Sequence, residues 1–449
     1  MQLKMIDRVK KAYKINYKAT TLIMWMPIKV VAYVVPYFSV LFFFLHSKDK
    51  NTLRRFIKYF SLACFIIVIS YLLRNNFILH SGFLTLLTYS SFICLLIFPV
   101  ISVSIKEVEE YIPFIGNVIL IESIVGIIQI FFGMIVRQAT LDSDTGDVVQ
   151  GTILLNSFLL DKDEMGFGNQ VFTINLLLLL LFYFPFVKNN LRRVFILLLG
   201  FSSVLLASVL HLVGCFLVSI LIILLLFNRK IFNKGLLLVM VVFAAFVGIT
   251  YYFQPDNFSL IEKYLNDYLQ GNSPKVLASA EAIILMPNDY PNVPYIGLGP
   301  GQFSSRAGLI GTGQYFGSFN APKPIPFMPQ AISPAFEKYG YELWAYVNRT
   351  NGNETSTMSR TFYSLLSIYT EFGLLIFVVL LIILLRYILK LRKEMLALVK
   401  DNSQKRIIFV SGVFAVFLLL ISFFENYLES PQAIFSSLLF TKLINSIKK

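Results

Sequence analysis

The stretch 194–227 constrains this chain most: 34 consecutive residues without a Lys, Arg, Asp or Glu. A helix crosses a bilayer with about 17–25 apolar residues, so this run holds more than one crossing. It reads as a tight hairpin whose tip is Ser208 to Gly214. Similar runs recur along nearly the whole length. Of 449 residues, 57% are hydrophobic and 14% charged, against about 45–50% and about 25% in soluble domains. A soluble class is excluded. A transmembrane β-barrel is excluded too, because its strands alternate in polarity over about ten residues, and the leucines at 176–181 do not alternate. The expected fold class is all-α, a polytopic helical membrane protein.

Eleven candidate spans can be drawn: 22–45, 57–73, 77–105, 111–136, 171–187, 194–210, 212–227, 235–253, 361–385, 407–424 and 432–447. The net charge of +14 comes largely from short links between them, with five basic residues in 46–58, three in 188–193, three in 229–234 and seven in 386–406. Short cytoplasmic links collect Lys and Arg, so the basic excess needs no nucleic acid as partner. Arg192-Arg193 and Arg229-Lys230 flank the hairpin, so its tip faces outward. That places 138–167 outside, with six acidic residues against Lys162, and also the near-neutral stretch 254–360. Eleven spans with an inside C-terminus conflict with Lys4, Arg8, Lys10, Lys11, Lys14 and Lys18 at the N-terminus. Either the first span is re-entrant and broken near Pro36, or two spans are merged before Glu122, giving eleven to twelve. No cleavable signal peptide is expected. Cys64, Cys94 and Cys215 lie inside apolar runs and read as small buried residues. Three regions follow: membrane helices in 1–253, an extracytoplasmic loop at 254–360, and membrane helices in 361–449.

A loop of about a hundred residues exceeds what membrane helices need, and such loops usually carry chemistry or recognition. It opens with a helical pattern at Phe258, Ile261, Tyr264, Leu265 and Tyr268, then a second from about 274 to 285 with Lys275 near its start. Gly-Leu-Gly-Pro-Gly-Gln-Phe follows at 297–303, then Ser304-Ser-Arg-Ala307, and five prolines in 322–334 prevent a regular helix. The glycines could let backbone N–H groups approach an anion. They lack the strand, helix and later acid of a dinucleotide fingerprint, and a tight turn is the plainer reading.

The proline-flanked glycine motif at 297–303, inside a large outer loop and followed by Glu371-Phe-Gly-Leu374, resembles the O-antigen polymerase and O-antigen ligase superfamily. Gln302-Phe-Ser-Ser-Arg-Ala307 with Tyr315-Phe316 is more similar to its exopolysaccharide polymerases, and Asn426-Tyr-Leu-Glu-Ser-Pro431 also has the family look. The resemblance implies a GT-C-like fold and a glycosyltransferase working without metal or other cofactor at the outer face of the bacterial cytoplasmic membrane. It would move an oligosaccharide from undecaprenyl pyrophosphate onto an acceptor repeat unit. Its partners would be that lipid-linked oligosaccharide, the bilayer, a flippase and a chain-length regulator. One point stands without the resemblance: ATP and nucleotide sugars are absent outside the membrane, so a transfer there needs a donor activated in the lipid.

Departure of a diphosphate builds negative charge, which fixed cations in a desolvated site stabilise. The catalytic residues expected are Arg306, Arg360 and Lys275. The substrate-binding residues expected are His211, Gly299, Gly301, Gln302, Ser305 and Glu371. Each has a plainer alternative: a solvated loop cation for Arg306 and Lys275, an interfacial anchor for Arg360, a packed ring for His211, and a structural carboxylate for Glu371, as for Glu122. The base is open among Glu281, Asp289, Glu337, Glu342 and Glu354. Tyr339, Tyr341, Trp344 and Tyr346 could stack on sugars or form an interface belt. The loop has no histidine and carries Ser359-Arg360 where ligases show one, which favours a polymerase over a ligase. A flippase or other transporter would carry inverted repeats, and none is visible; a non-catalytic scaffold is the remaining alternative.

Overall fold

The computed structural model describes residues 2–27, 29–137, 146, 148–153, 168–227, 255–316, 322–350, 360–397 and 402–447, with short pieces between 241 and 252. Among these residues regular structure is helical, apart from one isolated parallel bridge between Val103 and Ile447. Five helices are long and apolar enough to cross a membrane, and a bent pair would make a sixth. The expected acidic loop 138–167 and the span 235–253 lie largely outside the described residues.

The N-terminal region departs from the expected first span at 22–45. Helix α1 (Gln2–Met24) ends where that span was to begin, and α2 (Val35–Ser47) starts after a break. The break precedes Pro36, which sits in the first turn of α2, where a missing N–H costs nothing. The two helices run antiparallel: Asn16 and Thr20 both hydrogen-bond Ser39, at 2.9 and 2.8 Å. Lysines hide α1 from a hydropathy reading, but they are matched. Lys10 reaches Glu107 at 2.8 Å, Lys14 pairs with Glu110, and Lys18 lies 5.5 Å over the Phe114 ring.

Helix α3 (Lys50–Leu73) is followed by α4 (Leu79–Thr88) and α5 (Ser90–Ile97), bent by 59° at Tyr89. The single span expected at 77–105 is thus two short helices plus an extended piece, because an apolar run can continue where the backbone turns. After α6 (Ile105–Glu109), α7 (Ile112–Arg137) carries Glu122 and Gln129 inward. Glu122 accepts from the Thr152 N–H at 2.8 Å and its hydroxyl at 2.7 Å, and Gln129 accepts from the N–H groups of Gln150 and Gly151. These buried polar groups tie segment 148–153 into the bundle, which is the partner an ionisable group at such depth requires.

Helix α8 (Gly168–Tyr183) is buried on every face, as expected for a helix apolar all round. The run holds two helices, α9 (Asn190–Leu206) and α10 (Leu210–Phe227), joined at Ser208 (φ +56°); each packs on α8 and hardly on the other, so they are not the tight hairpin expected, and 210–214 is already helical. The loop contains α11 (Pro255–Leu269), α12 (Pro274–Ala280), α13 (Arg306–Gly311) and α14 (Glu342–Thr350). Then come α15 (Ser364–Ala397), α16 (Asn402–Ile421) and α17 (Pro431–Ile444).

Helix α15 is broken at Gly373 (φ +79°, ψ 169°), and the glycine motif fills the break. The N–H of Leu298 donates to Thr370 O at 2.8 Å and that of Gly299 to Glu371 O at 2.9 Å, capping carbonyls that the break leaves open. A Cβ on Gly297 would lie 2.4 Å from Glu371 O, and one on Gly373 2.3 Å from Tyr295 O. Only glycines let the two backbones meet this closely.

Candidate functional site

Four cationic or imidazole side chains expected from the sequence gather at one end of the bundle, opposite the Lys10–Glu107 end. Ser305 caps α13, its hydroxyl accepting the Gly308 N–H at 3.2 Å, so Arg306 is the first helical residue and turns inward with 2% of its surface exposed. Its Nε donates to Asn426 O at 2.7 Å, Nη1 to the Tyr315 hydroxyl, and Nη2 lies 3.6 Å from Glu425 Oε1. Arg306 and Arg360 line one narrow cleft with Tyr315, Trp344, Glu425 and Asn426, with a free volume of about 30 Å³. Arg360 donates from Nη1 to Asn348 Oδ1 at 3.1 Å, and its carbonyl accepts Lys275 Nζ at 3.1 Å. His211 Nε2 is 3.1 Å from the Tyr427 hydroxyl, and its ring stacks on Phe424 with centroids 5.1 Å apart.

The electrostatics follow from this packing. Burial opposes the charge on Arg306, but Tyr315, Tyr33 and Glu425 outweigh it and hold its pKa above the ordinary value. Lys275 is also buried, and desolvation with Arg360 nearby holds its ammonium down to about 7 although Glu425 pulls the other way. The Glu429 carboxyl accepts the Arg306 N–H, and burial followed by the closeness of Glu371 pushes it up to about 8. Glu425 shares the cleft with Arg306 and Arg360, and its charge also reaches Lys275, which is buried behind the cleft.

The Lys275 shift has a sign that can be checked. Below about pH 7 the ammonium is charged and the fold carries its desolvation cost; that cost is relieved as pH rises from about 7 toward the unfolded value. Anion affinity is expected to run the opposite way, falling as pH passes 7. Lys275→Arg stays charged and is expected to flatten this fall, as measured by binding of a diphosphate-bearing lipid at pH 6 to 9. An unchanged alkaline fall in that variant would detach it from Lys275.

The expected substrate-binding residues of the glycine motif do not line the cleft; they stand behind it. Gly299 packs on Phe77 and Gly301 on the Ser81 backbone, where a Cβ would come within 2.6 and 2.1 Å. Gln302 pairs both ways with Ile78, accepting its N–H at 2.8 Å and donating to its carbonyl at 3.0 Å. Glu371 accepts the N–H groups of Gly301, Phe303 and Ser305 at 2.7, 3.1 and 3.1 Å. The polar groups of Gln302 and Glu371 are spent on bracing the segment that presents Arg306.

Among the expected bases, Asp289 is exposed and held by Lys338 and by Tyr339 at 2.6 Å. Glu337 and Glu342 are exposed, Glu281 is half-buried away from the cleft, and Glu354 lies outside the described residues. Trp344 is the aromatic of its group that lines the cleft; Tyr341 instead donates to Gln314 at 2.9 Å. Sequence reasoning missed Glu425, 6% exposed. The available signal was an acidic residue ending an apolar run, directly before Asn426. It also missed Arg74, whose guanidinium donates to the carbonyls of Ile296 and Gly297 at 3.0 and 3.3 Å and pins the glycine motif from the end of α3. Among the described residues no group of three His, Cys, Asp or Glu side chains is placed to hold a metal ion.

The chain matches no family model, no curated protein and no solved structure.

Proposed function

We propose that the chain is an envelope polysaccharide polymerase of the O-antigen or exopolysaccharide kind, acting at the outer face of the bacterial cytoplasmic membrane. The observation that carries this reading is the gathering of Arg306 and Arg360 with Glu425 along one cleft, with Lys275 buried behind Arg360. The donor is an oligosaccharide on undecaprenyl pyrophosphate. Its anomeric C–O bond to the diphosphate breaks, a bond forms to the hydroxyl oxygen of an acceptor repeat unit, and the hydroxyl proton passes to Glu425. The three cations take the charge that develops on the departing diphosphate, the form of stabilisation with the largest expected share of the rate.

The orientation fits. Lys10 and Lys14 lie at the same end of the bundle as Lys188, Arg406 and Ile447. With α1 counted as a crossing, the expected spans become twelve and both termini are cytoplasmic, which removes the conflict over the basic N-terminus. The cleft is then outside, where the donor must be lipid-linked. The lipid-linked oligosaccharide and the bilayer are the partners of this reading, with a flippase to supply the donor and a regulator to set chain length.

Arg360→Ala tests it in cells. Surface glycan is expected to lose its long chains while single repeat units remain. Long polymer accumulating on its lipid carrier would mark a ligase instead, and normal chains at normal protein level would remove the cleft from the chemistry.

A further inference from the structure

A second basic cavity lies at the other end of the bundle, about 590 Å³ including its opening, and the outer-face reaction leaves it unused. Lys188 and Arg193 come from the connection between α8 and α9 and its first helical turn, Arg406 from the first turns of α16, and Glu109 from the end of α6. Three cations face one carboxylate. Lys188 pairs with Glu109 at 2.6 Å, Arg406 Nη1 donates to Pro185 O at 2.9 Å, and Arg193 Nη2 donates to Val187 O. The Nε of Arg193 makes no hydrogen bond, and its guanidinium lies 5.4 Å over the Phe184 ring.

We infer that this cavity binds phosphate, supplied by the headgroup of an anionic glycerophospholipid of the cytoplasmic leaflet. One observation favours a lipid over a soluble phosphate. Ile105, Phe186 and Val187 give the cavity an apolar wall. The exposed apolar residues of α9, Leu191, Val194, Phe195 and Leu198, lie on the far side of the helix from Arg193. Basic pockets between helices on the cytoplasmic side suit such headgroups. The inference rests on the membrane orientation and not on the glycosyltransferase reading.

The test uses the full chain in neutral detergent with added phosphatidylglycerol or phosphatidylcholine, retained lipid being counted by native mass spectrometry. Phosphatidylglycerol is expected to be preferred. Arg193→Gln with Arg406→Gln is expected to weaken its retention about thirtyfold, as two cations near an anionic headgroup would give. Glu109→Gln is expected to raise retention, a gain that misfolding cannot imitate. Equal retention of the two lipids, or no effect of the double substitution, would overturn the site. Displacement of phosphatidylglycerol by inorganic phosphate, with phosphatidylcholine unaffected, would overturn the lipid as its source.

Discussion

Glu371→Ala is expected to cost about 4 kcal/mol or more of stability and to release the glycine motif from α15. The carboxylate is 1% exposed and accepts three backbone N–H groups, from Gly301, Phe303 and Ser305. Each buried donor left without an acceptor costs about 1–3 kcal/mol, and water has no clear route to replace the lost oxygens. Glu371→Gln keeps one acceptor oxygen but turns an NH₂ toward N–H donors, so it falls between the alanine variant and the native chain. The control is Asp289→Ala on the exposed pair with Lys338, expected to stay within about 0.5 kcal/mol. Thermal unfolding in detergent measures all three, and proteolysis after Gly297 reports release of the motif. A Glu371→Ala protein that melts like the native chain would show that the loop is held by something else.

Arg306→Ala is expected to have the largest effect on activity, a loss of about 10²–10³ in transfer rate from removing one preorganised donor to the developing charge. The same change takes from buried Glu425 the guanidinium 3.6 Å away, and breaking such a pair costs about 3–5 kcal/mol. The two effects can be separated. In Arg306→Ala/Glu425→Ala both charges leave together, so stability should recover while activity stays lost. Arg306→Lys keeps the charge and loses the planar fork that now reaches Asn426 O and the Tyr315 hydroxyl, so an intermediate rate is expected. Rate per folded molecule is the quantity to compare. Full activity in the double variant would make the Arg306–Glu425 pair purely structural.

Much of the membrane architecture was legible because a bilayer fixes span length and basic residues mark the ends of spans. That the run 194–227 holds two helices, α9 and α10, followed from span length; that they splay apart onto other helices did not. Helix α1 was not legible, since its lysines lower its hydropathy and their partners Glu107 and Glu110 lie about a hundred residues away. The bend at Tyr89 and the break at Gly373 were hidden because the apolar run continues through both. In the site, the cations could be named from their motifs, but the carboxylate facing them could not: Glu425 is joined to Arg306 by tertiary packing alone. The glycines were readable as a tight turn. What they turn against, the Phe77–Ser81 segment and the broken end of α15, is a property of the fold.

The central claim is that the cleft cations hold a lipid diphosphate while its glycan moves to a neighbour. Its most direct test is the purified protein in liposomes with oligosaccharide-linked undecaprenyl pyrophosphate, counting free undecaprenyl pyrophosphate against glycan bonds formed. The expected result is one lipid diphosphate released per bond, with both products lost in Arg306→Ala/Glu425→Ala. Chain growth without that release, or undiminished growth in the double variant, would contradict the account.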